Sequence, residues 1–194
     1  QELSKKISIS RKKIIPKLKS QLESLLLNLG MKNASFDFKL SELDEFSRFG
    51  SDQIEVLFSA NKGIKYAPLF KIASGGELSR ILLSIKSILS KHLNLPTMIF
   101  DEIDSGVSGE MSNSMANMML EMSSKMQIIA ITHLPQVAAK GNQQLNVYKQ
   151  NSTSSTSTMV KQLNKQERID EISKMLAGDL ISESAVTHAK ELLN

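Results

Sequence analysis

Ser74, Gly75, Gly76 and Glu77 are four neighbours whose residue types suit the binding of an anion. Ser74 is a typical N-cap and Glu77, three positions later, completes a capping box, so a helix is predicted to begin here. Each glycine in the first turn weakens that helix by about 1 kcal/mol relative to alanine. The glycines also leave bare amides at the positive end of the helix dipole, where a phosphate can approach. These residues alone leave a capping box with incidental glycines as the alternative.

A second group of polar residues follows two short apolar runs. Asp101 and Glu102 come directly after residues 97–100, and His133 directly after residues 127–132. Carboxylates at a strand end suit phosphoryl transfer, because Mg²⁺ prefers oxygen ligands and is shared with phosphates. Asp101 would hold Mg²⁺ directly or through water, Glu102 would orient or deprotonate the attacking water, and His133 would hydrogen-bond a γ-phosphate. The alternative is structural, with the carboxylates capping the next turn and His133 merely ending a strand.

The two apolar runs predict the fold class. Each is typical of a strand buried on both faces, and the helix predicted over 108–126 separates them, which favours an α/β fold with a parallel sheet flanked by helices. Ligands of such sheets lie beyond the carboxyl ends of the strands, where Asp101, Glu102 and His133 are expected. The methionines of that helix recur at helical spacing and are interpreted as core residues.

The remaining elements are predicted from periodicity and turn residues. A helix follows Ser74 to about Lys91, strands cover 35–40 and 54–59, and residues 41–52 between them are polar and irregular. Pro135 opens a short helix that closes near Gly141. A hairpin of 145–149 and 158–163 surrounds a low-complexity loop, and helices over 166–176 and 182–193 follow.

Residues 3–29 are predicted to form one long helix that ends at Gly30. Its apolar residues are spaced close to a heptad seam, which indicates a coiled-coil arm: Leu3, Ile7, Ile14, Leu18, Leu25 and Leu29. Pro16 should kink or break this helix. Because the chain offers no second heptad helix, we expect the partner strand upstream of residue 1. The predicted domains are therefore an arm, 1–30, and a lobe, 31–194.

Composition excludes several classes of site. The 194 residues contain no cysteine, which rules out disulfides and thiolate chemistry and fits a cytoplasmic protein. Tryptophan is absent and aromatic residues make up 5%, so stacking platforms for single-stranded nucleic acid are not expected. No apolar run approaches the length of a membrane span.

Positive charge is concentrated in the first 20 residues. They carry seven basic side chains and one acidic one, whereas the whole chain has a net charge of +4. Such an arm could contact nucleic-acid phosphates. A solvated helix face is the alternative. The candidate nucleic-acid contacts are Lys5, Lys6, Arg11, Lys12 and Lys13.

Together, the order of these motifs resembles the C-terminal half of an ABC-type ATPase head of SMC-like chromosome and repair proteins. The resemblance is carried by residues 71–80, 99–106 and 131–139. Within that family, these segments most resemble a member that acts in DNA double-strand break repair. It implies that Ser74–Glu77 are the signature motif, Asp101 and Glu102 end the Walker B strand, and His133 is the switch histidine. It also implies a D-loop formed by Ser105, Gly106, Val107 and Ser108.

The resemblance implies an ATPase that uses ATP and Mg²⁺, closes its nucleotide between two heads and acts on DNA in repair and recombination. In such heads the signature motif of one head meets the nucleotide held by the other. Implied partners are a second copy of the protein, DNA and a recombinase, with no membrane partner and a place in the cytoplasm with the nucleoid.

One required motif is missing. The sequence contains no G-x-x-x-x-G-K-[ST] phosphate-binding loop. In the resembled family this Walker A loop lies in an N-terminal half joined through the coiled coil, so that half is expected as a partner and this chain alone is expected to be inactive. Alternatives are the head of another SMC-like chromosome protein, a transporter head, or a coiled-coil interaction module without catalysis. The basic heptad arm disfavours the transporter, and the intact motif residues disfavour the last.

Overall fold

The computed structural model describes residues 1–104, 106–107, 109–151 and 155–194. They form two compact units, Gln1–Asn94 with Ser105–Val107, and Leu95–Asp104 with Ser108–Asn194. Across the described residues, no helix combines the length and apolar character that a membrane crossing requires.

The first unit begins with the long helix α1, Glu2–Asn28. It continues through β1 (Ser35–Ser47), β2 (Gly50–Ser59), β3 (Ala67–Pro68), α2 (Leu69–Ile72) and α3 (Gly75–Ser90). The three strands form an antiparallel sheet in the order β1-β2-β3. The end of α1 packs on α3 and on the sheet, so the core contains Leu22 and Leu26 with Phe36, Phe58 and Ile81.

Helix α1 confirms the long helix and its end. Gly30 has a φ of 79°, the left-handed conformation that a glycine after a helix supplies. The helix runs through Pro16 without a break. Of the heptad seam, Leu29 is buried, but Leu3 and Ile14 remain 76% and 52% exposed, so the seam near the N-terminus is uncovered in this unit.

The prediction that residues 41–52 are irregular is wrong. β1 and β2 extend through it and pair from Ser35↔Ser59 to Ser47↔Gly50, with one register shift. The far half of this hairpin is exposed on both faces, apart from the end that meets α1. A ribbon without a buried face needs no alternation of apolar residues, so the pattern used to predict strands is absent there.

The hairpin is tied to α1 by an ion pair. Arg11 Nη1 donates to Asp52 Oδ2 at 2.8 Å, and Arg11 Nη2 donates to the carbonyl oxygen of Phe49 at 2.8 Å. Close by, the hydroxyls of Ser4 and Ser51 lie 2.8 Å apart. The hydrogen bond from Arg11 is the main reason that the pKa of Asp52 lies below its usual range.

This pKa shift predicts how acid affects the first unit. A carboxyl whose folded pKa is depressed stabilises the fold above its unfolded pKa of about 3.9, and that stabilisation is lost as pH falls through the folded value. We expect the urea midpoint of Asp52→Asn to lie below that of the unaltered chain at pH 6, and the difference to shrink below about pH 4. Asp44→Asn, on the exposed part of the same hairpin, is the control. A difference that stays constant down to pH 2.5 would contradict this assignment.

The second unit contains β4 (Thr97–Asp101), α4 (Glu110–Ser123), β5 (Gln127–Ile131) and α5 (Pro135–Lys140). It continues with β6 (Leu145–Asn151), β7 (Thr156–Gln162), α6 (Lys165–Ala177) and α7 (Glu183–Leu193). Parallel pairing of β4 with β5 and antiparallel pairing of β6 with β7 are confirmed. The methionines predicted as core are buried at five positions, Met115, Met118, Met119, Met122 and Met126. Part of the predicted low-complexity loop, 152–154, lies outside the described residues.

The prediction that β4 and β5 are buried on both faces is half wrong. Met98 and Phe100 are buried, but Ile99, Ile129 and Ile131 are 56%, 41% and 53% exposed. The register pairs Ile99 with Ile129 and Asp101 with Ile131, so these residues share one face. Among the described residues of this unit, burial on the opposite face is confined to Met98 and Phe100 of β4.

Candidate active site

Ser74 begins α3 as predicted. Its hydroxyl accepts from the backbone N–H of Glu77 at 3.4 Å, and Glu77 Oε2 accepts from the backbone N–H of Ser74 at 2.8 Å. The capping box is therefore confirmed. The first-turn amides of α3 that have no partner within the helix remain at its positive end.

Gly75 stands where a ligand could come close to the backbone. Apart from its chain neighbours and the backbone of its own helix, a Cβ atom built at this position would meet no atom of the described residues within 4 Å. The fold therefore does not require glycine at position 75 for packing, although helix propensity disfavours it there. A glycine that the protein's own packing does not need is consistent with close approach of a phosphate.

Arg80 connects the start of α3 to the end of α1. Its Nε donates to the carbonyl oxygen of Gly76 at 3.1 Å, and its Nη1 donates to the carbonyl oxygen of Leu29 at 3.1 Å. Leu29 is the C-cap of α1, whose last carbonyls need partners outside the helix. The predicted arm and the predicted anion site are thus joined through one side chain.

The strand-end residues lie at one edge of the parallel pair. Asp101, which is exposed, faces Ile131 in the register, and the backbone N–H of Glu102 donates to the carbonyl oxygen of Ile131 at 3.2 Å. His133 follows Ile131 by two residues. The topology therefore brings Asp101, Glu102 and His133 to the same edge, as the sequence predicts.

Glu102 has an unusual backbone. Its φ is +46°, and it is the only non-glycine residue with positive φ in the part of the chain that the structure describes. This conformation costs an L-residue about 1–2 kcal/mol. Strain of this kind clusters at functional sites, so the observation supports a functional role for Glu102.

Asp104 is a residue of this edge that sequence reasoning missed. Its side chain is 1% exposed, Oδ2 accepts from the hydroxyl of Thr132, and Oδ1 lies 3.5 Å from Nδ1 of His133. The sequence gives one signal, a third carboxylate three residues after Asp101. Nothing local shows that this carboxylate turns inward to meet a residue from the next strand.

Asp101 has the chemistry that a magnesium ion requires. Within the described ranges, no three His, Cys, Asp or Glu side chains gather into a metal-binding group. Mg²⁺ usually takes one or two carboxylates and completes its shell with water and phosphate oxygens. An exposed carboxylate at a strand end fits that mode of binding.

The predicted D-loop is only partly described. Gly106 has a φ of 73°, and Val107 is buried at 5% exposure. Ser105 and Ser108 lie outside the described residues.

The basic residues of α1 fall into two groups. Arg11 is committed to Asp52, and Lys6 pairs with Glu2 at 2.8 Å with both side chains largely exposed. Lys5, Lys12 and Lys13 are exposed on the same helix. The charge of Arg11 is thus matched within the protein, whereas the lysines lie at the surface.

Comparisons with known proteins identify the relatives of the chain. No protein-family model matches it. It is 39% identical over 188 residues to the DNA repair protein RecN of Halalkalibacterium halodurans, and the alignment covers 95% of this chain and 33% of that protein. It is 37% identical over 193 residues to the DNA repair protein RecN of Treponema pallidum, and the alignment covers 96% of this chain and 34% of that protein.

Solved structures show the same fold. The Smc head domain with a coiled coil and joint from Pyrococcus yayanosii superposes with a TM-score of 0.64 at 18% identity, over 84% of this chain and 30% of that one. A structure described as "Structural biochemistry of ATP-driven dimerization and DNA stimulated activation of SMC ATPases" superposes with a TM-score of 0.60 at 16% identity. The superposition covers 89% of this chain and 99% of that one. The predicted α/β fold with an N-terminal helix is therefore confirmed, and it is the fold of SMC head domains. The chain spans about a third of the length of its curated relatives, and over nearly all of its own length its sequence is similar to a part of the DNA repair protein RecN.

Proposed function

We propose that this chain is the C-terminal part of an SMC-like ATPase that acts in DNA double-strand break repair and recombination. The observation that carries the proposal is the sheet edge where Asp101, the strained Glu102 and His133 come together. The relationship to RecN proteins supports the repair role.

The roles of the edge residues follow from their chemistry. The Asp101 carboxylate would hold Mg²⁺, directly or through water, and the ion when bound would neutralise charge on the phosphates of ATP. Glu102 would orient the attacking water and accept its proton. His133 would hydrogen-bond the γ-phosphate and stabilise its developing charge.

The signature residues Ser74–Glu77 would serve a different nucleotide. We propose that the N-terminus of α3 meets the γ-phosphate held by a second head, so that ATP closes a homodimer. The open position at Gly75 and the first-turn amides of α3 support this contact. The related SMC ATPases described by their ATP-driven dimerization support the same mode of assembly.

An N-terminal segment with the phosphate-binding loop would complete the head. Two uncovered apolar surfaces support this partner. One is the face of β4 and β5 that carries Ile99, Ile129 and Ile131, and the other is the seam of α1 that carries Leu3 and Ile14. Exposed apolar faces of this kind are normally covered in the working protein, and we propose that the N-terminal lobe covers the first and the outgoing coiled-coil strand the second.

The chain alone is expected to show no ATP turnover that depends on Glu102, because it lacks the lysine and glycine loop that cradle the phosphates. The full-length protein should hydrolyse ATP. The measurement is phosphate release by both proteins and by their Glu102→Gln variants. Turnover by the chain alone that disappears in its Glu102→Gln variant would contradict the half-head proposal, and a full-length protein without turnover would contradict the ATPase itself.

DNA binding would use the exposed lysines of α1. Changing Lys5, Lys12 and Lys13 to glutamine in the full-length protein is expected to weaken duplex binding. The slope of log affinity against log salt should fall by about 0.9 for each lysine that contacts a phosphate. Lys174→Gln, in the last turn of α6 and outside the arm, is the control. Binding that does not respond to salt would rule these contacts out.

A role in chromosome organisation is the second candidate, since the solved structures with this fold are heads of Smc proteins. Identity of 35–39% to RecN proteins, against 16–18% to those heads, favours repair. The proposal places the protein in the cytoplasm with the nucleoid and leaves a recombinase as a further partner to be tested.

A further inference from the structure

Asp104 fixes the loop that carries His133. The carboxylate follows β4 by three residues and is almost completely buried. Its Oδ2 atom accepts from the hydroxyl of Thr132, and the same hydroxyl accepts from the backbone N–H of Leu134 at 3.0 Å. Thr132 is therefore attached directly to the carboxylate, and Leu134 is attached to it through the Thr132 hydroxyl.

The second oxygen of that carboxylate has no hydrogen bond within the described part of the chain. Asp104 Oδ1 is buried, and Nδ1 of His133 lies 3.5 Å from it. A buried carboxylate oxygen without a donor is unfavourable and rare in folded proteins. Some donor is therefore expected to reach Oδ1 in the working state.

His133 is the side chain placed to supply that donor. The imidazole is 64% exposed, so it has room to move, and a shift of a few tenths of an ångström would bring Nδ1 into hydrogen-bond range of Oδ1. Hydrogen bonds of catalytic groups are often long without substrate and tighten when it binds.

We infer that Asp104 is a positioning residue for His133. When nucleotide binds, Nδ1–H of His133 donates to Oδ1 of Asp104, which fixes the ring, and with protons on both ring nitrogens Nε2–H is directed at the γ-phosphate. A carboxylate beside one ring nitrogen favours the doubly protonated ring, whose other nitrogen can then donate to an anionic substrate. The inference rests on the proposed ATPase function and adds a residue to it.

The competing explanation is that Asp104 only ties two loops together through Thr132. A double-mutant cycle in the full-length protein separates the two explanations, with Asp104→Asn, His133→Ala and both changes together. Asparagine keeps the size of the side chain and an acceptor for Thr132 but removes the carboxylate. Melting temperatures of all variants are measured alongside kcat and KM for ATP.

We expect Asp104→Asn to lower kcat about 10- to 100-fold, with a small change in KM, as changes to groups that orient a functional histidine do. Because Asp104 acts through His133, the double variant should be no slower than His133→Ala alone. If the losses of kcat in Asp104→Asn and His133→Ala multiply in the double variant, the inference is overturned. A loss of kcat in Thr132→Val equal to that in Asp104→Asn would also overturn it, because Thr132→Val removes the hydrogen bond to Oδ2 and keeps the carboxylate.

A spectroscopic measurement keeps the test decisive even where a variant folds poorly. In full-length Glu102→Gln protein with ATP and Mg²⁺, the ¹⁵N shifts of the His133 ring should show protons on both ring nitrogens, and the His133→Gln spectrum assigns the signal. An unprotonated Nδ1 would overturn the inference. A His133→Ala variant with normal turnover would overturn both the inference and the proposed role of His133, whereas a slow His133→Ala with a normal Asp104→Asn would overturn the inference alone.

Discussion

Replacing Glu102 by glutamine in the full-length protein is expected to lower ATP turnover by about 10²- to 10⁴-fold, the range for loss of a general base. Glutamine has the same shape but cannot accept the proton of the attacking water. Binding of ATP and closure of the two heads should persist, because neither needs that proton transfer. The variant should accumulate as an ATP-bound dimer, which gel filtration with and without ATP measures.

The control lies in the same unit. Glu191→Gln removes an exposed carboxylate from α7 and should change neither turnover nor assembly. Unchanged turnover in Glu102→Gln would remove Glu102 from the role of base.

The backbone of Glu102 offers an independent check. Glycine adopts a φ of +46° without steric cost, whereas glutamate does not. Glu102→Gly should therefore leave the melting temperature unchanged or raise it, despite the greater freedom that glycine gives the unfolded chain. Turnover should still be lost. A gain in stability with a loss of activity is the pattern expected where strain serves function.

Gly75→Asp is expected to abolish ATP-driven dimerization and leave the fold intact. A Cβ atom at position 75 meets no atom of the described residues beyond its own helix and chain neighbours within 4 Å, and aspartate in the first turn of a helix is stabilised by the helix dipole. The same negative charge would face the γ-phosphate offered by the other head, and the two anions would repel each other. Gly75→Ala adds volume without charge and should weaken ATP-driven dimerization less than Gly75→Asp does.

Mixing the two inactive proteins tests whether the signature motif acts in trans. In a dimer of Gly75→Asp with Glu102→Gln, one site combines an intact Glu102 with an intact signature motif from the partner head. Turnover should therefore partly return on mixing. If both motifs served the nucleotide of their own head, no site would be intact and mixing would restore nothing. Dimerization of Gly75→Asp with ATP as in the unaltered protein would also contradict the proposed contact.

Features set by near neighbours in the chain were predictable. The capping box of Ser74 and Glu77, the end of α1 at Gly30, and the start of α5 at Pro135 depend on residues within four positions of one another. The parallel pairing of β4 and β5 was also predictable, because two short apolar runs separated by a helix have few other arrangements.

Features that lack a local signature were missed. The exposed half of the β1–β2 hairpin shows no alternation, because neither of its faces is buried. The open face of β4 and β5 was missed for the opposite reason, since a run of apolar residues does not reveal which of its sides the same chain covers.

The sequence by itself therefore determined which residues can do chemistry and on which elements they stand. Only the tertiary structure decided which of them meet. It joined Arg11 to Asp52 across 41 positions and the Asp104 carboxylate to the Thr132 hydroxyl across 28. The left-handed backbone of Glu102 likewise became visible only in the fold. Burial and pairing between distant residues depend on how whole elements pack, and the spacing of residues along the chain contains no record of that packing.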